Sequence, residues 1–505
     1  MKKYENFVYT VCLVIVVTIT VVMKPLSNLD EVWNFNIARC ISNGLVPYKD
    51  ISMVSTPLLG FIVAIPLKIF GQEMFFSRIC AIIFGLICLF LLFKILKNIG
   101  IKKEISNLTV ILALIVIVNY IAVDYNFFAL ILVLQIILIE IKAVKLEGWK
   151  LFLADVAIGV LAGFTICTKQ SIGLIISIIS IFNPVFFIRH REQIKECIKV
   201  IAKRIIGVCI PILTFVIYLC ANGAFYGFFD YSVKGVKTFA NALPYSSLLN
   251  ANNVACSILA VIVPIILVIC AIVCIVAKIR KKEKSTLYIL TVYSIGMFTI
   301  VFPISDNVHF AFAVIPSIIL AVYGLKLVFG IITKKEEGHF KRTLTFINVI
   351  SVLIILVGTL LVEVSSNENL GKISKYDYQK HFKYIEISEG TNKSITTIND
   401  YTKSKEKNVY ILDVTSACYM IPMDRYNKNY DMLCVGNFGS RGEESIIEQI
   451  KNEDALYLIL RDEKYLNWQN PSKVRAYVLE NMEFVESISI FDVYQNKVLE
   501  EDVQK

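Results

Sequence analysis

Apolar residues in this chain run in blocks too long for the core helices of a soluble protein. A helix needs about 20 apolar residues to cross the roughly 30 Å hydrocarbon core of a bilayer. Runs of that kind lie near 7–23, 75–96, 106–123, 126–141, 151–168, 171–188, 205–221, 252–277, 287–302, 310–331 and 343–362, which predicts about eleven spans. The first follows Met1-Lys2-Lys3 and has no small-x-small cleavage site after it, so an uncleaved helix is expected. The stretch from Pro57 to Phe70 is shorter and carries Pro66 and Lys68, as a helix lying in the interface would. From Ser365 the chain turns polar. Val409–Asp413, Ala455–Leu460 and Phe484–Tyr494 read as strands, Glu443–Asn452 and Ser472–Asn481 as helices, and Gly436-Asn437-Phe438-Gly439 as a turn. The predicted fold class is a polytopic α-helical membrane protein with a small C-terminal α/β domain. The expected boundaries are 1–364 for the transmembrane domain, with a first outer loop 24–74 carrying interfacial helices, and 365–505 for the extracytoplasmic domain.

Composition supports this. Of 505 residues 56% are hydrophobic and 18% charged, where a soluble chain has about 25% charged. A mean hydropathy of +0.66 excludes the soluble classes. The net charge of +10 does not signal nucleic acid, because the basic residues sit in short loops. Windows 1–5, 94–103, 142–150, 189–204, 278–284 and 334–342 hold 24 Lys and Arg, and the opposite windows 24–78, 169–170 and 223–250 hold 8. Basic loops stay in the cytoplasm. The expected topology therefore has a cytoplasmic N-terminus and everything beyond about residue 364 outside the plasma membrane. Thirteen cysteines lie mostly in apolar spans, with no Cys-x-x-Cys pair and no His nearby, so they read as small apolar fillers. Cys418 and Cys434 in the tail read equally as a pair or as free thiols.

Ionisable groups are expensive at mid-membrane and mark ion or proton paths there. This pattern instead places Asp30, Glu31, Asp124, Lys169, Asp306 and His309 at the outer ends of predicted spans. Asp30-Glu31 opens a segment in which Trp33, Ile37 and Ile41 recur at helical spacing, as in an amphipathic helix on the membrane. One carboxylate there reads as a general base, and the pair reads equally as a complement to the helix dipole. Asp124-Tyr125-Asn126 is a tight turn whose acid reads as a substrate-orienting group or as a solvated turn residue. Lys169 suits a lipid phosphate as a point charge, or ordinary snorkelling. Pro303, Asp306 and His309 share another turn, where the His reads as a phosphate contact or a hydrogen-bonded loop residue.

The run Asp30-Glu31, Ala38, Gly44, Pro47-Tyr48, Asp50 and Pro57-Leu58 resembles the first outer loop of GT-C superfamily glycosyltransferases. Within them it is similar to the protein O-mannosyltransferase and aminoarabinose-transferase group, in its bacterial branch. Tyr125-Asn126, Thr168-Lys169-Gln170 and the turn from Pro303 to His309 resemble recurrent features of the same proteins. The sequence departs from them at Thr56-Pro57-Leu58, where Pro-Pro-Leu is common, and at Trp33-Asn34, where an aromatic hydroxyl is common. The resemblance implies transfer of a hexosyl or pentosyl group from a polyprenyl-phosphate carrier to an extracytoplasmic acceptor, with inversion. It implies Asp30 as base supported by Glu31, and Lys169, Arg39 and His309 as contacts of the carrier phosphate. Asp124, with Tyr125, Asn126 and Asp306, becomes a second acidic or substrate site. Richness in Ile and Lys is that of a low-GC bacterium, so undecaprenyl phosphate is the expected carrier and a cell-envelope glycan, lipid or protein the acceptor. Some branches use a divalent metal, which Asp30, Glu31 and Asp124 offer to hold; no second outer acid pair accompanies them, and no obligatory metal is expected. The rival readings are a lipid-linked sugar flippase and a non-catalytic envelope assembly protein.

Overall fold

A computed structural model describes residues 2–26, 29–187, 193–238, 242–249, 254–280, 284–329, 338–366, 379–426 and 430–497. Asn28 and parts of the basic loops near 190, 282 and 335 lie outside the described residues. In chain order the helices are α1 Lys2–Val22, α2 Leu29–Ser42, α3 Leu58–Phe70, α4 Met74–Asn98, α5 Lys103–Ile117, α6 Tyr125–Ala143, α7 Gly148–Thr168, α8 Gln170–Phe182 and α9 Gln193–Ala221. They continue with α10 Phe225–Phe228, α11 Ser246–Leu249, α12 Val254–Ile279, α13 Ser285–Phe298, α14 Asn307–Ala313, α15 Ile315–Phe329 and α16 Gly338–Ser366. The tail holds α17 Glu389–Lys403, α18 Ser416–Met420, α19 Glu443–Asn452 and α20 Ser472–Asn481, with strands β1 Asn408–Ile411, β2 Ala455–Leu460, β3 Glu483–Ile488 and β4 Phe491–Gln495. The chain divides into two compact units, one of residues 1–23, 78–215 and 242–374, the other of residues 24–77, 216–241 and 375–505.

Among the described residues seven helices are long and apolar enough to cross a membrane, and the pair α14–α15, bent by 41°, makes an eighth. The predicted runs 7–23, 287–302 and 343–362 fall on α1, α13 and α16, whose described apolar stretches are shorter. Lipid tails give helices no hydrophobic reason to associate, so small residues that admit close approach carry the packing. In the first unit Gly159-x-x-x-Gly163 on α7 meets Gly207 on α9. A Cβ on Gly159 would stand 2.2 Å from the Arg204 carbonyl oxygen, and one on Gly207 2.5 Å from that of Val156. α7 and α8 are divided by the single extended residue Lys169 (φ −149°, ψ 107°). Its N–H still bonds the Thr165 carbonyl at 2.9 Å, and its carbonyl already accepts from Gly173 at 2.9 Å. Gly173 lets α8 fold back, since a Cβ there would lie 2.3 Å from the Ile166 nitrogen.

In the second unit α2 is buried from Glu31 to Cys40. The polar face expected to meet water is covered: Asn36 donates to Asp431 at 2.8 Å, and Trp33 donates to the Val414 carbonyl at 3.2 Å. α3 packs on α2 through Gly60, whose Cβ position is 2.9 Å from Ile37. The tail forms a four-stranded sheet of order β1-β2-β4-β3, with β1 parallel to β2 and the other pairs antiparallel. Tyr410, Tyr430, Tyr457, Phe438, Ile446 and Val478 form its core. The predicted strand Phe484–Tyr494 is a hairpin instead. It turns at Ser489, held at φ 52° without any glycine, and the Arg461 N–H bonds the Ile490 carbonyl at 3.0 Å across the turn.

The glycine contact makes a direct prediction. Gly159→Val forces α7 away from α9, an overpacking cost of about 1–3 kcal/mol. The thermal unfolding midpoint of the detergent-solubilised protein falls by several degrees; an unchanged midpoint would show that the two helices do not depend on this approach.

Candidate functional site

The first unit holds six of the sequence-predicted residues. Asp124 is the N-cap of α6: its Oδ1 accepts from the Asn126 N–H at 2.7 Å and the Phe127 N–H at 2.9 Å. This satisfies two of the four donors that a helix start leaves open. Lys169 is held between α7 and α8. Its Nζ donates to Asn126 Oδ1 at 2.5 Å and lies 5.0 Å from the centre of the Tyr125 ring, a cation–π distance. Asp306 caps α14, accepting from the His309 N–H at 2.8 Å, and pairs with His309 Nδ1 at 2.8 Å.

Electrostatics tie these residues into one neighbourhood. Burial pushes the Asp124 carboxyl above its ordinary range, while the Phe127 N–H, His309 and Lys169 pull it back. Burial also acts on Asp306, but the His309 hydrogen bond, with the charges of His309 and Lys169, holds it below the usual carboxylate value. Among the described residues, Asp124 Oδ2 and Asn126 Nδ2 are buried with no hydrogen-bond partner. Buried polar atoms of this kind cost about 1–3 kcal/mol each unless something binds them. Among the described residues no three His, Cys, Asp or Glu side chains converge as metal ligands would.

Sequence reasoning missed what holds this neighbourhood in register. It counted Arg204 as a loop cation, whereas the structure buries it inside the bundle. Its Nη1 donates to Glu140 Oε1 and to the Ser180 carbonyl, both at 2.6 Å; Nη2 reaches Glu140 Oε2 at 3.1 Å, and Nε reaches Asp155 at 3.2 Å. Tyr293 and Asn183 donate to the same Glu140 oxygen at 3.0 and 3.1 Å. Asn126 precedes Glu140 by fourteen residues on α6, and Lys169 follows Asp155 by fourteen, a rise of about 21 Å in each case. Arg204 thus clamps α6 to α7 at one end, and the Lys169–Asn126 bond joins them at the other. The signal in the sequence was Asp155, an acid inside an apolar run.

The remaining predicted residues belong to the second unit. Asp30 and Glu31 lie in the first turn of α2, where their charges suit the helix dipole. Glu31 is buried and Asp30 is partly exposed. The Asp30 backbone carbonyl accepts from Asn34 at 2.7 Å. Burial, and after it the Asp30 carboxylate, push the Cys434 thiol up to about 12, which places Asp30 beside the tail domain. Arg39 stands nine residues further along α2, about 13 Å of helix from Asp30. It lines a polar cavity with His381, a residue that no periodicity had singled out.

Residues 54–218 match the family model described as dolichyl-phosphate-mannose-protein mannosyltransferase. The whole chain is similar in fold to the crystal structure of ArnT from Cupriavidus metallidurans bound to undecaprenyl phosphate. The TM-score is 0.60 at 13% identity, covering 99% of each chain. The apo structure of that protein matches with the same TM-score and identity over 98% of each chain. No curated protein sequence matches the chain.

The Asp306–His309 pair has a testable pH signature. Because the carboxyl is held below its ordinary value, its stabilising contribution is full at neutral pH and is lost as pH falls below about 4. Asn is as good an N-cap as Asp, so Asp306→Asn removes the pair and keeps the helix start. The gap in thermal midpoint between the two proteins is constant from pH 7 to 5 and closes below about 4; a gap that stays constant into acid would exclude the ionised pair.

Proposed function

We propose that the chain is a membrane glycosyltransferase of the GT-C superfamily and that it moves a sugar from a polyprenyl-phosphate carrier to an extracytoplasmic acceptor, with inversion at the anomeric carbon. The observation that carries this reading is the convergence of Asp124, Asn126, Lys169, Asp306 and His309 at the ends of their helices. A lipid-linked donor cannot leave the bilayer, so its phosphate must be met where spans end. The undecaprenyl phosphate bound by ArnT supports the same carrier class here. The domains on this reading are a catalytic transmembrane part, 1–364, and an extracytoplasmic part, 365–505. The N-terminus lies in the cytoplasm and the site outside.

The reaction balances without a co-reactant. An acceptor hydroxyl attacks the anomeric carbon on the face opposite the phosphate. The carbon–oxygen bond to the phosphate breaks, its electron pair stays on the carrier phosphate, and the hydroxyl proton passes to Asp30. Glu31, buried beside it, keeps the carboxylate turn in place. Lys169 neutralises charge developing on the leaving phosphate, and His309 supplies a second donor to it. Asp124, Tyr125 and Asn126, with Asp306, hold Lys169 and His309 in position. Arg39, the third cation expected at that phosphate, lines the polar cavity of the second unit.

The test uses cells. Asp30→Asn keeps the side chain's size and removes the base, a loss of about 10²–10⁴ in rate; Lys169→Gln costs about 10²–10³. Mass spectrometry of cells carrying Asp30→Asn shows a polyprenyl-phosphate sugar accumulating and one surface decoration missing, as in a deletion. A glycan profile identical to wild type at normal protein level would remove Asp30 from the chemistry.

A further inference from the structure

The second unit contains a polar cavity of about 550 Å³ lined by Arg39, Asn43, Gln72, Lys380, His381, Asp424 and Tyr426. Its size falls within the range of about 300–1,000 Å³ typical of small-ligand pockets. Three observations set it apart from an ordinary surface dent.

The first is Arg39. Its side chain is 1% exposed, and among the described residues its one ion pair is with Asp424, 4.0 Å from Nη1. Its hydrogen bonds go to neutral acceptors: Nε and Nη2 to Asn36 Oδ1 at 3.3 and 3.1 Å, and Nη2 to the Arg425 carbonyl at 3.1 Å. The guanidinium also lies 4.7 Å from the centre of the Tyr426 ring. A buried charge without a close counter-ion is costly.

The second is Asp424, which is already engaged. Lys380 and His381 both pair with its carboxylate, and against partial desolvation those contacts hold it below the usual carboxylate value. His381 Nδ1 faces the Gln72 carbonyl at 2.8 Å while Nε2 faces Asp424. The ring thus bridges Gln72 and Asp424. The third is backbone strain. His381 and Asp424 are non-glycine residues at φ 68° and 54°, conformations that cost about 1–3 kcal/mol where a residue does not tolerate them and that cluster at ligand sites. The strain sets these two side chains against each other at the cavity.

We propose that this cavity binds an acidic saccharide, with Arg39 taking its phosphate or carboxylate and the edges of Asn43, Gln72 and Tyr426 taking its hydroxyls. Asn36 and the Arg425 carbonyl take Nε and Nη2 of Arg39, so Nη1, 4.0 Å from Asp424, is the charged donor it offers to an oxyanion. Asn43 and Gln72 already bond each other at 3.1 Å, and Asn43 also bonds the Tyr426 hydroxyl, so their amide groups are held in one arrangement. Resting on the transferase reading, the acidic saccharide is the acceptor or part of it.

The test is a binding measurement on the full chain in nanodiscs, without donor. Isothermal titration with glucose 6-phosphate and with glucuronate gives saturable binding, at least tenfold tighter than with glucose or inorganic phosphate. Arg39→Gln weakens the charged sugars at least tenfold, and Lys380→Gln, at an exposed position, and Tyr426→Phe, at a half-buried one, weaken them several-fold. Glucose binding as tightly as the charged sugars would overturn the anionic specificity, and inorganic phosphate binding as tightly would overturn the saccharide. If Arg39→Gln fails to fold, unchanged binding in both Lys380→Gln and Tyr426→Phe overturns the site. Binding that depends on these residues in a protein that never transfers a sugar would remove the transferase reading and leave the cavity standing.

Discussion

One buried cation sets the geometry of the first unit. Arg204 sits among five helical segments and is matched there by Glu140 and Asp155, with Tyr293, Asn183 and the Ser180 carbonyl completing the shell. Replacing a buried ion cluster by apolar groups is often neutral, whereas removing one partner leaves a charge stranded. Such a cluster specifies which helices meet and in which register. Here it locks α6 to α7, and the equal rise along both brings Asn126 level with Lys169. Glycines 159, 163 and 207 make the close approach of α7 and α9 sterically possible, and Gly173 folds α8 back so that Lys169 stands at the bend.

The second unit follows a different logic. Its first segment contributes α2, a helix with a polar side that the tail domain covers through Asn36–Asp431 and Trp33–Val414. A helix that looks amphipathic in sequence becomes an interior element because the partners for its polar side come from nearly four hundred residues away. Asp230 joins the same unit by a side-chain bond from Ser440 at 2.5 Å, and Gly439 at φ 70° admits it, since a Cβ there would stand 2.3 Å from Asp230 Oδ2. The tail thus organises the loop that carries Asp30 and Arg39.

Much of this was legible because membranes impose a strong pattern. Apolar blocks marked the spans, and α19, α20 and β2 fall where their short apolar or helical periods put them. The neighbourhood of Asp124, Lys169 and His309 was visible as polar residues at span ends. What was hidden depended on partners distant in sequence. Arg204 looked like one more basic loop residue because nothing local shows that Glu140 and Asp155 turn toward it. His381 sits in a short irregular segment, and its value lies in a backbone conformation that no pattern encodes. The hairpin at Ser489 lacks the glycine or asparagine that announces a turn, so two strands read as one.

The account stands on the claim that a sugar is transferred and its carrier released. The most direct measurement uses purified full-length protein in proteoliposomes with a polyprenyl-phosphate sugar and an acidic saccharide acceptor. Free polyprenyl phosphate and glycosylated acceptor are then quantified together. The account predicts equal amounts of both, with the anomeric configuration inverted in the product. Movement of the lipid-linked sugar between leaflets with no free polyprenyl phosphate formed would contradict it and identify the protein as a transporter.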